Sequence, residues 1–158
     1  MRELILLRHA HADAALPGQS DIDRPLSAEG LAEAERAGHW LREQALVPDC
    51  VVCSPSRRTR ETLEAVLGVI GYVDQRLDER IYEATSGTLA AVADEHRDVG
   101  RLLLVGHNPG LERLAALMHS GQSGDYRGMP PGGIAVLSLR DEALIEPASA
   151  DLSAFWWP

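Results

Sequence analysis

Leu4-Ile5-Leu6-Leu7-Arg8-His9-Ala10-His11 is the stretch from which the fold of this chain is read. Four successive apolar residues bounded by charge carry the pattern of a short strand buried on both faces, the kind found in parallel sheets. The run stops at Arg8-His9, so a cation and an imidazole stand at the strand's C-terminal end. In open α/β sheets ligands bind along that edge. The pair is therefore well placed for an anionic ligand.

At 158 residues the chain has room for one sizeable core, and one domain over residues 1–158 is expected. No apolar run approaches the ~18 residues that suggest a membrane span, and Leu4 to Leu7 is too short for the core of a secretion signal, so the expected location is the cytoplasm. A formal charge of −9 repels nucleic acid and anionic membranes alike, which argues against both as general partners. Positive charge must then be gathered locally if an anion is to bind. All 15 basic residues are Arg. Without Lys, a Walker A phosphate loop, a Schiff-base mechanism and a lysine-dependent kinase each lack their essential residue. Arg suits bidentate recognition of phosphate oxygens instead.

Outward from the first strand, Asp13 to Pro25 reads as a polar loop passing over that edge. Ser27 reads as the N-cap of a helix of about 18 residues, with an apolar stripe through Leu31, Ala34, Gly38, Leu41 and Ala45. His39 and Trp40 on this helix read as surface or packing residues. Asp49 to Cys53 is a second buried strand. Its Cys50-Val51-Val52-Cys53 has C-x-x-C spacing, but residues three apart on a strand face opposite ways, so two buried free thiols are expected rather than a metal site. A helix follows to about Leu67. Arg57, Arg58 and Arg60 open it, at an end that disfavours cations unless an anion is held there. Arg57 and Arg60 read as a solvated face paired with Glu61 and Glu64. Val69 to Leu77 reads as a connecting strand region, and a helix from Ser86 or Thr88 to His96 buries Leu89, Val92 and Ala93.

Arg101 to Gly106 repeats the opening theme, with Leu102 to Val105 as a strand ending at His107-Asn108-Pro109. Pro109 suits the first turn of a helix over Leu111 to His119, which sets His107 beside free backbone N–H groups. Residues 120–133, rich in Gly, Pro and Ser, read as a loop bordering the pocket. Ile134 to Leu139 is a last strong strand, expected to turn at Asp141-Glu142 into a weaker partner near Leu144 to Glu146. The ending Phe155-Trp156-Trp157-Pro158 is expected to pack on the body. This βα alternation predicts an α/β three-layer sandwich, a mostly parallel central sheet with helices on both faces.

Arg8-His9-Ala10, then Ser54-Pro55-Ser56-Arg57-Arg58 with Thr62, then Val105-Gly106-His107-Asn108-Pro109 resemble, in order and spacing, the histidine phosphatase superfamily of phosphoglycerate mutase-like enzymes. Among its members the chain looks most like the SixA-type phosphohistidine phosphatases, over nearly its whole length. Ala10 stands where the commonest form has Gly, which implies a backbone with no need for positive φ there.

The resemblance implies a phosphatase that works without metal or other cofactor. His9 would be the nucleophile and pass through a phosphohistidine. Its other ring nitrogen should donate to a backbone carbonyl, so that the attacking one stays unprotonated. Arg8, Arg58, His107 and Asn108 would bind the phosphoryl group, His107 adding charge in its protonated form. Leu77-Asp78-Glu79-Arg80 resembles the segment that carries the general acid in the mutases, which points to Glu79. Glu83 competes for that role, and the reaction could also run with neither. The implied substrate is phosphohistidine in a signalling protein, such as a histidine-phosphotransfer protein; the alternative is a small phosphorylated metabolite. Two further readings come from other classes: a metal hydrolase using the H-x-H of His9 and His11, and a phospho-ligand binding module without activity.

Overall fold

The computed structural model of the chain describes residues 1–140 and 144–158. Six strands, β1 (Glu3–Arg8), β2 (Cys50–Cys53), β3 (Asp74–Leu77), β4 (Arg101–Gly106), β5 (Ile134–Leu139) and β6 (Ala150–Trp156), form one sheet in the order β3-β2-β4-β1-β5-β6. The first four run parallel, and β5 and β6 add an antiparallel edge. Leu4 to Leu7 lie at the centre with no exposed surface. Alternation along the strands splits the core in two. Leu4 and Leu6 pack with Leu89, Leu111 and Leu114 on one face, while Ile5 and Leu7 pack with Ala37, Leu41, Leu63 and Val66 on the other. Helices α1 (Ala28–Glu43) and α2 (Arg57–Ile70) cover the second face, and α3 (Ser86–Asp94) and α4 (Gly110–Ser120) cover the first. The expected three-layer α/β arrangement is present.

The same alternation places Cys50 in one half of the core and Cys53 in the other. Both are free and buried, and burial pushes the Cys53 thiol up to about 12. They cannot share an ion.

Ser27 caps α1, its hydroxyl accepting from the Gly30 N–H at 3.0 Å. The stripe differs from expectation at both ends. Leu31 lies roughly 80° around the helix from Leu41 at 3.6 residues per turn, and it is 46% exposed. Ala45 follows the end of α1 with φ +56°. The buried line is Ala34, Ala37, Gly38 and Leu41. Trp40 packs as expected, stacked on Trp156 with ring centroids 5.5 Å apart. Val69 and Ile70 are the last residues of α2, so the connecting strand is only Asp74–Leu77, an exposed edge.

The antiparallel partner of β5 is β6, Ala150–Trp156, and not residues 144–146. The longer segment turns Asp151 and Ser153 outward between the more covered Ala150, Leu152 and Ala154, the alternation a half-buried edge requires. The expected turn at Asp141-Glu142 lies outside the described residues. Phe155 and Trp156 accordingly belong to a strand, while Trp157 remains 55% exposed.

Candidate active site

Parallel register brings three strand ends level. Arg8 pairs with Gly106 and Cys53 with Val105, so His9, Ser54 and His107 emerge side by side at the C-terminal edge. Arg58 joins them from the first turn of α2, whose N-cap is Ser56. The rings of His9 and His107 stand 5.3 Å apart between centroids.

Hydrogen bonding determines the tautomer of each ring. His9 Nδ1 lies 2.8 Å from the Ala10 carbonyl, which can only accept, so Nδ1 carries the proton and Nε2 keeps its lone pair. Burial first, and then the charges of Arg58, Arg8 and Arg24, lower the His9 pKa to about 4, outweighing the carbonyl's opposite pull. This imidazole is neutral at physiological pH. His107 Nδ1 faces a guanidinium nitrogen of Arg58 at 3.4 Å, a group that can only donate, so its proton sits on Nε2 and is donated to Ser54 Oγ at 2.8 Å. Burial, His9 and Arg58 lower its pKa to about 3. The protonated His107 expected from sequence is therefore absent from the free site: it is too enclosed, and too near other positive charge, to hold a proton without an anion.

Arg58 is 6% exposed and held at its tip. Its terminal nitrogens donate to the Asp21 carbonyl at 2.8 Å and the Asp21 carboxylate at 3.0 Å. Tyr82 donates its hydroxyl to the same carboxylate at 2.5 Å, and that bond, with Arg58, holds the Asp21 pKa down at about 2. Arg8 donates to the Met129 carbonyl at 2.8 Å. That leaves Nε of Arg58, and both Nε and the second terminal nitrogen of Arg8, without a partner among the described residues. Among the described residues, the side-chain nitrogen and oxygen atoms buried without a partner are Arg8 Nε and Arg58 Nε. Unsatisfied buried donors are rare because each costs the full desolvation of the group. Two cationic ones beside two neutral imidazoles mark a place for an anionic oxygen ligand.

The other residues singled out from sequence are placed differently. Asn108 directs its amide N–H groups to the Met129 carbonyl at 2.9 Å and to Glu112 at 3.1 Å, so it braces the loop against α4, though it also borders a cleft with His107. Glu79 is exposed at the start of the 3-10 turn Glu79–Ile81, whose Ile81 is buried, and it shares no hydrogen bond with the four central residues. Glu83 lines the cleft beside His107. His11 faces away: β1 ends at Arg8, so the period-two geometry of an H-x-H pair never forms, and His11 Nδ1 bonds Ser27 Oγ at 2.7 Å instead. No cluster of three metal-ligating side chains occurs among the described residues.

A family model described as the histidine phosphatase superfamily (branch 1) matches residues 4–102. The chain belongs to this superfamily. The uncharacterized protein Rv1276c of Mycobacterium tuberculosis is 38% identical over 158 residues, covering 94% of this chain and 98% of that one. The crystal structure of the SixA protein of Agrobacterium tumefaciens, a phosphohistidine phosphatase by assignment, superposes with a TM-score of 0.86 at 31% identity over 99% of this chain and 98% of that one. A SixA structure from Nakamurella multipartitia gives a TM-score of 0.83 at 32% identity over 99% and 96%.

Sequence reasoning missed several members of this superfamily site. Asp21, held in turn by Tyr82, and the Met129 carbonyl hold the two arginines, yet they lie in loops and short turns without periodicity. Thr62 is more legible: it stands one turn after Arg58, accepts the Ala10 N–H at 3.1 Å and donates to the Arg58 carbonyl at 2.8 Å. Ala10 itself needs no positive φ and is fully buried.

Proposed function

We propose that this superfamily member removes phosphate from phosphohistidine through a covalent intermediate on His9. The carrying observation is the pair of buried, unpartnered donors, Arg8 Nε and Arg58 Nε, beside a neutral imidazole whose Nε2 lone pair is free. A phosphoryl group there would receive charge-assisted hydrogen bonds, roughly twice as strong as neutral ones. His9 Nε2 attacks phosphorus, the leaving group departs, and water then cleaves the phosphohistidine. The bound dianion reverses the electrostatic balance around His107 and favours its protonated form, which adds positive charge beside the phosphoryl group. Since enzymes accelerate phosphate monoester hydrolysis by up to ~10²¹-fold, a fixed cluster of donors is the device to expect.

Two features favour phosphohistidine over an alkyl phosphate. The chain is similar to SixA-type proteins over nearly their full length. Glu79, the carboxylic acid suggested by the mutase-like segment, is exposed and unconnected to the phosphate residues, and an imidazole leaving group needs little acid assistance because its own pKa lies near neutrality.

Incubation with a phosphohistidine protein should leave acid-labile, base-stable phosphate on His9, and His9→Ala should abolish turnover. Phosphate on Ser54, or full activity in His9→Ala, would refute the mechanism. Rapid turnover of small phosphate esters with none of phosphohistidine would instead make the chain a small-molecule phosphomonoesterase of the same superfamily.

A further inference from the structure

Beside His107 the surface opens into a cleft of about 380 Å³ that the phosphoryl chemistry does not use. Its walls come from the turn after Tyr82, the start of α3 and the first turn of α4, with Ser123 at the rim. Two charged side chains line it, Glu83 and Arg113. Among the described residues neither makes a side-chain hydrogen bond or ion pair, and they are not joined to each other. An acid and a base left apart in one cleft are usually solvated surface residues. Two facts set these apart.

The first is the backbone at Glu83. Its φ is +57°, a conformation costly for any residue with a Cβ and one that Gly would occupy freely. The second is position. The cleft begins at His107, so whatever departs from a phosphorus held by Arg8, Arg58, His9 and His107 can enter it. Glu83 also lies within electrostatic reach of Tyr82, whose phenol is held protonated first by Asp21, then by burial and with a contribution from Glu83.

We infer that this cleft is the leaving-group subsite, and that it selects a leaving group presenting a cationic N–H to Glu83 and an anion to Arg113. This rests on the reading above and refines it. In a phosphohistidine one ring nitrogen bears phosphorus, and the other, when protonated, makes the ring a cation. The Glu83 carboxylate accepts a hydrogen bond from that N–H and favours the cationic ring. When His9 Nε2 forms its bond to phosphorus, the P–N bond of the substrate breaks and its electron pair returns to the departing nitrogen. A neutral imidazole leaves, keeping the proton it brought. No external acid takes part, which fits the exposed position of Glu79. Arg113 meets an acidic group one residue or less from the ring: either the α-carboxylate of a free phosphohistidine or an acidic side chain next to a phosphohistidine in a protein.

The test compares wild type, Glu83→Gly and Arg113→Gln on four probes: phosphohistidine peptides flanked by Asp or by Asn, free phosphohistidine, its carboxamide, and 4-nitrophenyl phosphate as reference. Glu83→Gly suits the backbone, so loss of folding is not expected, and His9 phosphorylation by the reference ester verifies an intact centre. Glu83→Gly should lower kcat/KM for every phosphohistidine probe relative to the reference by about 10- to 100-fold, the effect of losing one hydrogen bond to a charged group. Wild type should prefer the acidic member of one pair, and Arg113→Gln should erase that preference. Preference for the Asp peptide assigns a protein substrate, and preference for free phosphohistidine over its carboxamide assigns a metabolite. Unchanged ratios in Glu83→Gly, or no acidic preference in wild type, would overturn the inference while phosphorylation of His9 left the general mechanism standing. Failure of wild type to phosphorylate His9 from any probe would overturn both.

Discussion

Single atoms decide what the site can do. The Ala10 carbonyl holds the proton of His9 on Nδ1, and burial keeps the ring neutral with its pKa near 4, so the Nε2 lone pair is available without a base to strip it. Arg58 contributes more than charge. Asp21, itself held by the Tyr82 hydroxyl, takes up its tip so that Nε is left without a partner. Arg58→Lys should therefore fail although it conserves charge, because an ammonium cannot bond Asp21 twice and offer a further fixed donor to phosphate. A loss of about 10²- to 10³-fold in kcat is expected, the usual effect of removing one preorganised donor. Steady-state kinetics on a reference phosphate ester decides this, and a loss under about threefold would make the arginine a simple source of positive field.

At the scale of elements, the site depends on how closely α1 approaches the end of β1. A Cβ built on Gly30 would lie 2.0 Å from the His11 carbonyl oxygen, so the first turn of α1 can sit where it does only with Gly there. Gly30→Ala should cost about 1 to 3 kcal/mol, the range for overpacking, and should lower turnover by displacing the backbone that carries His9. Gly68 in α2 is the control, since nothing lies within 4 Å of its added Cβ. Gly68→Ala should stabilise by up to about 1 kcal/mol, the helix propensity difference. Denaturant midpoints of the two variants should move in opposite directions; a neutral Gly30→Ala would show that the loop yields without effect on α1.

For the molecule as a whole, two imidazoles buried neutral make stability depend on pH. Unfolding returns His9 and His107 from pKa values near 4 and 3 to the ordinary 6.5, so the unfolded chain binds more protons in that interval. Stability is complete above about pH 6.5 and falls as pH drops toward 4, each ring contributing up to about 1.4 kcal/mol per pH unit. Asp21 acts lower, its contribution being lost only as pH falls from its ordinary value of 3.8 through about 2. Thermal melts between pH 7.5 and 4.5 should show Tm declining. Vanadate, which mimics the five-coordinate phosphoryl transition state, should raise Tm at every pH. A doubly substituted His9→Asn, His107→Asn protein that kept the wild-type pH slope would place its cause elsewhere.

Local pattern alone determined the layered α/β fold, the strand ends carrying His9 and His107, the capped first helix and the helix that delivers Arg58, because apolar runs, a 3.6-residue period and capping residues act between neighbours in sequence. The opposed cysteines followed from the same alternation. Tertiary structure decided the rest. It replaced residues 144–146 with Ala150–Trp156 as the partner of β5, since edge pairing answers to burial on a sheet that must already exist. It kept His107 neutral, since an imidazole's charge depends on solvent exclusion and neighbouring cations that no short stretch records. It brought Asp21 and Tyr82, 61 residues apart in the chain, onto one guanidinium, and left Glu83 facing the cleft while Glu79 turned outward, because the course of a loop is set by the surfaces it crosses and not by any period of its own.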